Sequence, residues 1–120
     1  MKVAIVGAKI SVADFNHAID DSHAYIQKFN TKYEQITIHQ FFDTVTSGNE
    51  LCVNSLVELY ASQEEIELHK VDNDKDLVNN TDFLIAIVDH TNNGKIGAKI
   101  GSLIVKFYRA GKIAYIHQLS

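Results

Sequence analysis

Residues 82–110 read DFLIAIV, then DHTNNGK, then IGAKIGSLIVKFYRA, which predicts a strand, a polar turn and a helix. The first segment holds a continuous apolar run with polar residues on either side, typical of a strand buried on both faces of a parallel sheet. In the last segment the apolar residues recur at the spacing of one helix face, at Ile96, Ile100, Leu103, Ile104 and Phe107. A polar, glycine-containing turn between such elements favours an anion site, because the first N–H groups of the helix point at the ligand.

The rest of the chain repeats this alternation of strands and helices. Further strands are predicted near residues 2–6, 35–41, 66–69 and 112–117. Helices are predicted from Ser11 to about Phe29, from the S-x-x-E signal at Ser47 to about Ala61, and as one turn near residues 77–80. The alternation predicts an α/β fold: a single Rossmann-like domain over residues 1–120, with a doubly wound parallel sheet of about five strands and helices on both faces.

The strand order follows from how apolar each strand is. The first and fourth predicted strands are the most continuously apolar, so they belong at the centre of the sheet. The order 3-2-1-4-5 satisfies this condition. It puts the topological switch point between the first and fourth strands, where ligands bind at the carboxyl ends.

Composition narrows the functional classes. The 120 residues are 46% hydrophobic and 22% charged, which fits one domain with one core. No apolar run reaches twenty residues, so no membrane span or membrane partner is predicted, and the opening MKVAIVGAK predicts a strand rather than a signal peptide. The net charge of −4 argues against a nucleic-acid partner.

The cysteine and the histidines give further expectations. Cys52 is the only cysteine, so no disulfide framework is possible and a cytoplasmic location is expected. It is predicted to be a small core residue early in a helix. The six histidines are scattered, so neither a metal site nor a cofactor is predicted, and His39 and His117 are expected at surface or edge positions.

Three polar loops follow the carboxyl ends of the first, second and fourth predicted strands. These strands are adjacent in the predicted order, so their loops should line one crevice and offer helix N–H groups to a phosphate. Lys9 would add a positive charge, and Asp89 would accept a hydrogen bond from a hydroxyl or a base. The predicted ligand-binding residues are Gly7, Ala8, Lys9, Ser47, Gly48, Asn49, Asp89, His90, Asn92, Asn93, Gly94 and Lys95.

Two lysines in the helix after the fourth strand are a second observation. A cation in a first helical turn costs roughly 0.3–1 kcal/mol against the helix dipole, and a bound anion would reverse that sign. The alternative is that Lys95 and Lys99 simply extend into water. Glycine and asparagine are also ordinary turn residues, and none of the three loops matches a dinucleotide-binding or P-loop motif.

The chain resembles the small YspA-like branch of the SLOG superfamily, Rossmann-like ligand-binding proteins related to the LOG phosphoribohydrolases and to DprA. Gly7-Ala8-Lys9 is similar to the G-S-R after the first strand of that branch, and SGNELCVN at 47–54 is similar to its S-G-G-A-x-G-A-D. DHTNNGK at 89–95 is similar to its D-G-x-S-x-G-T. The resemblance implies a nucleotide or nucleotide-derived ligand, and self-association as a homodimer or higher homo-oligomer.

Departures from that pattern bear on catalysis. The phosphoribohydrolases carry a glutamate within G-T-x-x-E after the fourth strand, where this chain has Ala98 or Lys99. No acidic residue follows Asp89, although N-glycosidic chemistry needs a carboxylate at the reacting centre. The sequence therefore favours non-catalytic sensing or sequestration of a nucleotide-like ligand. The alternatives are an N-glycosidase, phosphoribohydrolase or deoxyribosyltransferase-like enzyme using Asp89, and a protein-interaction domain with a vestigial pocket.

Overall fold

The structure is a computed structural model that describes residues 1–7, 9–10, 15–41, 51–89 and 98–119. The secondary-structure elements, in chain order, are β1 (Lys2–Gly7), β2 (Lys9–Ile10), α1 (Phe15–Lys32), β3 (Thr37–Phe41), β4 (Leu51–Cys52), α2 (Val53–Gln63), β5 (Leu68–Val71), α3 (Asp74–Asn80), β6 (Phe83–Asp89), α4 (Ala98–Arg109) and β7 (Ala114–Leu119).

The main sheet has five parallel strands in the order β5-β3-β1-β6-β7. This confirms the predicted α/β class and the predicted order 3-2-1-4-5 of the five long strands. β1 and β6 lie at the centre, with Ile5 opposite Ile85 in the register. Strands that are apolar along their whole length take the central positions because only there are both faces covered.

Helices cover both faces of this sheet, and each face has its own core. On one face α1 and α2 pack against side chains such as Val3, Ile5 and Ile85. On the other face α3 and α4 pack against Ala4, Val6, Leu84 and Ala86. The alternation of these neighbours along β1 follows from the two-residue period of a strand. Among the described residues, no helix is long and apolar enough to cross a membrane.

The start of α2 differs from the prediction. Leu51 and Cys52 were expected inside a helix that begins at Ser47, which lies outside the described residues. They instead form the short strand β4, which pairs antiparallel with β2, and Cys52 is an extended N-cap with φ −120° and ψ 159°. Backbone pairing of Cys52 with Lys9 holds this segment extended, so the helix begins only at Val53. Cys52 is buried, as a core residue should be.

The environment of His39 also differs from the prediction. His39 was expected at the surface or at an edge, but only 7% of it is exposed. β3 lies between β1 and β5, and Ile38, His39 and Gln40 are all buried, so helices cover both faces of the strand. Alternation of polar and apolar residues was therefore misleading here. His117 lies on the edge strand β7, in agreement with the prediction.

Gly111 lies in the turn that follows the last residue of α4, Arg109. Gly111 has a φ of +75°, which an L-amino acid with a side chain seldom adopts. The N–H of Lys112 then donates to the carbonyl of Phe107 across the turn at 2.9 Å, as in a Schellman motif. This turn directs the chain into β7.

Candidate functional site

The carboxyl ends of the central strands form one edge of the sheet. β1 ends at Gly7, β3 at Phe41 and β6 at Asp89, and these three strands are neighbours. The chain winds outward through β3 from one side of β1 and through β7 from the other side of β6. The edge between β1 and β6 is therefore a topological switch point, where open α/β sheets leave a crevice for a ligand.

Three of the predicted ligand-binding residues lie among the described ones. Gly7 is the last residue of β1, and Asp89 is the last residue of β6, in register with Leu119. The backbone of Lys9 lies in β2, directly after β1, and pairs with Cys52. The other predicted residues lie outside the described part of the chain: Ala8, Ser47, Gly48, Asn49, His90, Asn92, Asn93, Gly94 and Lys95.

A recess of about 70 Å³ opens at this edge, between the ends of β1 and β3 and the start of α4. It has a mainly apolar floor with a few polar groups, and its described lining consists of Val6, Gly7, Phe41, Asn54, Lys99, Ile100 and Leu103. One water needs a cavity volume of at least about 10–15 Å³, so the recess has room for roughly five waters. A larger ligand would place one group inside it and extend over the rim.

Lys99 lies in the first turn of α4 and is exposed. Its ammonium nitrogen is 4.8 Å from the centroid of the Phe41 ring. This distance fits a cation–π contact, which holds a positive charge over an aromatic ring. Lys99 therefore does not simply extend into water, and it brings a cation to the mouth of the recess.

Asn54 and Gly7 determine how closely α2 approaches the recess. The Asn54 side-chain amide donates to the carbonyl oxygen of Phe41 at 3.2 Å, which ties the start of α2 to the end of β3. At Gly7, an added Cβ would lie 2.3 Å from Cγ2 of Val53 and 2.7 Å from the carbonyl oxygen of Ile87. The first turn of α2 thus packs directly on the end of β1, which requires a glycine there.

No negatively charged side chain in the first turn of α2 balances the positive end of its helix dipole. Its N-cap, Cys52, makes no side-chain capping hydrogen bond, and its first turn holds no acidic residue. The thiol instead contacts the hydroxyl of Ser55, with Sγ and Oγ 3.2 Å apart. The positive end of the α2 dipole consequently faces the carboxyl edge of the sheet without a carboxylate in its first turn.

Several residues of the recess were not among the predicted ligand-binding residues. Lys99 was noted in the sequence for its unfavourable position in a first helical turn, but its contact with Phe41 was not. Phe41 ends a predicted strand, a position that could have drawn attention to it. The contribution of Asn54 depends on the exact start of α2, which the sequence signal misplaced. Among the described residues, no group of three or more His, Cys, Asp or Glu side chains could hold a metal ion.

Comparisons of the chain with protein-family models, with curated proteins and with solved structures found no match. The resemblance to the SLOG superfamily therefore stays a prediction from the sequence. The function has to be argued from the geometry of the recess and from the chemistry of the residues around it.

Proposed function

We propose that this protein binds a nucleotide or a nucleotide-derived phosphorylated molecule at the carboxyl edge of β1, β3 and β6, without converting it. The observation that carries the proposal is the recess at the switch point, with the Lys99 ammonium 4.8 Å from the Phe41 ring centroid at its mouth. Such a module would sense or sequester its ligand.

The lining of the recess suits a ligand with an apolar part and an anionic part. Val6, Ile100 and Leu103 provide apolar surface, and the Phe41 ring provides an aromatic face. Lys99 supplies a positive charge, and the start of α2 supplies backbone N–H groups at the positive end of a helix. A nucleotide has both an aromatic base and a phosphate, so it matches these two requirements together.

The residues predicted from the sequence complete the proposed site. Lys9 would neutralise the phosphate, and Asp89 would accept a hydrogen bond from the ribose or the base. The N–H groups at Gly48-Asn49 and Gly94-Lys95 would bind phosphate oxygens. Cytoplasmic nucleotides would be the natural pool of ligands.

The absence of acidic residues from the sequence after Asp89 supports binding rather than catalysis. Hydrolysis or transfer at an N-glycosidic bond needs a carboxylate beside the sugar carbon. Asp89 is the one acidic residue from position 83 to the C-terminus. The enzyme alternative therefore depends on Asp89 alone.

A thermal-shift screen with nucleoside mono-, di- and triphosphates tests the proposal, followed by calorimetry on the best ligand. We expect a saturable increase in Tm, because a ligand that binds only the folded state stabilises it. The Lys9→Glu variant should lose the shift. The Lys32→Glu variant is the control, because Lys32 is exposed at the end of α1, just before β3 begins, whereas the crevice lies at the carboxyl ends of the strands.

The same samples distinguish the alternatives. Release of ribose phosphate from an incubated nucleotide, abolished in Asp89→Asn, would establish an enzyme and overturn non-catalytic binding. A shift that survives Lys9→Glu would mean that the anion site is misplaced. If no nucleotide shifts the Tm, and native mass spectrometry of freshly purified protein shows no bound small molecule, we would conclude that the protein is a protein-interaction domain with a vestigial pocket.

A further inference from the structure

The strand β5 forms one edge of the main sheet, with no strand on its outer side in the described part of the chain. The N–H of Ile38 in β3 donates to the carbonyl of Glu67 at 3.0 Å, so Glu67 directs its backbone groups toward β3. Backbone direction alternates from one residue to the next in a strand. Leu68, the next residue, therefore directs its N–H and C=O outward, where a further strand can pair with them.

A groove of about 350 Å³, which we call the β5 groove, lies beside this edge, between β5 and α2. Its volume is about five times that of the recess at the carboxyl edge of the sheet. The described residues that line it are Glu58, Ala61, Ser62, Ile66, Leu68 and Lys70. An edge strand next to a groove is an arrangement that binds extended peptides, since the peptide main chain pairs with the strand and alternate side chains enter the groove.

Glu58 is a carboxylate held in a fixed position in the wall of the β5 groove. The amide nitrogen of Gln40 donates to its Oε1 at 3.0 Å, and Nζ of Lys70 is 2.8 Å from the same oxygen. Because Gln40 is completely buried, it anchors the carboxylate to the core. Both of these contacts use Oε1, and Oε2 has no hydrogen-bond partner among the described residues, so it can accept a hydrogen bond from a cation in the groove.

The surroundings of the β5 groove are negatively charged. Residues 58–72 include a single lysine or arginine, Lys70, which pairs with Glu58. Over the same range the sequence has these acidic residues: Glu58, Glu64, Glu65, Glu67 and Asp72. Such a charge distribution attracts cations and repels phosphates. An arginine side chain fits this groove, because its apolar stem can pack on Leu68 and Ala61 while its guanidinium donates to Glu58.

We propose that the β5 groove binds an extended, arginine-containing peptide segment of another protein, which pairs its main chain with β5 and places an arginine against Glu58. The outward backbone groups of Leu68 favour a strand, and the negative charge favours a basic one. A second copy of this chain is disfavoured, because its own β5 would bring the same acidic residues into the interface. This proposal goes beyond nucleotide binding and does not depend on it.

An added strand has room on both faces of the sheet at this edge. It would lie about 4.8 Å outside β5, the usual distance between paired strands. On one face the β5 groove separates β5 from α2, and the exposed Ser62 lies at its rim. On the other face His69 is exposed, so no described helix covers the strand there. The side chains of a bound peptide can therefore project to both faces.

The experiment measures the fluorescence anisotropy of a labelled hexapeptide of alternating arginine and valine as the protein is added. We expect saturable binding that weakens as the salt concentration rises, because the charges are screened. The same peptide with glutamate in place of arginine should bind at least about tenfold more weakly, since it loses the charged hydrogen bond to Glu58. The arginine peptide with all its backbone nitrogens methylated should also bind more weakly, because it cannot donate to β5.

Variants of the protein test the groove itself. Ser62→Trp should abolish binding, because Ser62 lines the groove and is exposed, so the indole fills the groove without entering the core. Gln63→Trp is the matched control, since Gln63 is also exposed but lines the space between α2 and α1 with His23 and Tyr60. Glu58→Gln keeps the shape of the side chain and should weaken binding of the arginine peptide at least about tenfold. Circular dichroism checks that each variant is folded.

Hydrogen exchange on the same samples locates the contact. The amide of Leu68 should exchange quickly in the protein alone and should be protected in the presence of saturating arginine peptide. The proposal is overturned if the arginine peptide does not bind at millimolar concentration, if the glutamate peptide binds equally well, or if Leu68 stays unprotected. Protection of Leu68 without peptide, together with twice the mass of one chain in light scattering, would assign this edge to a second copy and also overturn it.

Discussion

The backbone of Gly7 lies directly against the side chain of Val53, so close that a Cβ on Gly7 would be 2.6 Å from the Cβ of Val53. This contact joins the end of β1 to the first turn of α2 at the mouth of the crevice. The neighbouring atom on the other side is the carbonyl oxygen of Ile87, at 2.7 Å from the same added Cβ. Neither neighbour is the mobile end of a long side chain.

The Gly7→Ala substitution should therefore destabilise the protein by about 1–3 kcal/mol, the usual cost of overpacking a well-packed site. Urea denaturation monitored by circular dichroism measures this change. Because α2 must move away from β1 to admit the methyl group, nucleotide affinity should also fall. Unchanged stability would mean that α2 does not approach β1 as closely as described.

Gly101→Ala is the control for Gly7→Ala, with the opposite sign expected. Gly101 lies inside α4, and an added Cβ there meets no atom of the described residues outside its own helix turn within 4 Å. Alanine should stabilise the helix by about 0.5–1 kcal/mol, because glycine loses more backbone entropy on folding.

The next prediction concerns the dependence of stability on pH. His39 is buried, and neither of its ring nitrogens has a hydrogen-bond partner among the residues that the structure describes. Its ring stacks on His69, with the two centroids 4.8 Å apart. Burial lowers the pKa of His39 below its ordinary value of 6.5, and the charges of His69 and Lys2 lower it further, against a smaller opposing effect of Glu67. A lowered pKa in the folded state means that the unfolded state binds the proton more readily.

The contribution of His39 to the free energy of unfolding should therefore be fully present above pH 6.5. It should be lost as the pH drops from 6.5 toward the pKa of His39 in the folded protein. His39→Phe keeps an aromatic ring over His69 and removes the titrating group, so its unfolding free energy should fall less across this range. Equal slopes for wild type and His39→Phe would contradict the prediction.

His39 also shows where reasoning from the sequence succeeds and where it fails. The apolar runs of β1 and β6 were sufficient to predict the strand order, because only central strands are covered along both faces. β3 is equally covered but carries His39 and Gln40, so its polar residues suggested an exposed face. The predicted start of α2 was also wrong, because it depended on residues that are distant in the sequence. A local capping signal could not compete with the long-range pairing of Cys52 with Lys9.

The candidate site was predictable in its position rather than in its lining. The end of β1 at Gly7 and the end of β6 at Asp89 follow directly from the strand pattern. Phe41, Asn54 and Lys99 come from three different elements, and only the folded chain brings them to one recess. Periodicity along the sequence contains no information about such a meeting of side chains.

Another prediction concerns the buried amide of Gln40. Its nitrogen donates to a carboxylate oxygen of Glu58 at 3.0 Å. Its own oxygen is buried and has no hydrogen-bond partner in the described part of the chain. Glu58 also pairs with Lys70 at 2.8 Å. Glu58→Leu should leave the Gln40 amide nitrogen unsatisfied as well, at a cost of about 1–3 kcal/mol.

A double-mutant cycle with Gln40→Met checks this cost. Methionine removes the amide while filling a similar volume, so Glu58→Leu should be less destabilising in that background than in the wild type. Urea denaturation of the four proteins gives the coupling free energy. A coupling near zero would contradict an energetic link between Gln40 and Glu58.

The last prediction separates the two roles of Lys99. As an exposed cation over Phe41 it should contribute no more than about 0.5–1 kcal/mol to stability. As a ligand contact it should matter more, because a charged hydrogen bond to phosphate is worth roughly 1.5–3 kcal/mol. Lys99→Gln should therefore unfold almost like the wild type and yet bind a nucleotide at least about tenfold more weakly.

Lys99→Arg is the matched variant, since it keeps both the charge and the contact with the ring, and it should retain most of the affinity. Calorimetry measures binding and urea denaturation measures stability on the same preparations. Raising the salt concentration should weaken binding to the wild type more than to Lys99→Gln, because a screened charge contributes less. If Lys99→Gln binds the nucleotide as tightly as Lys99→Arg does, the phosphate does not contact Lys99, and the recess between Phe41 and α4 receives another part of the ligand.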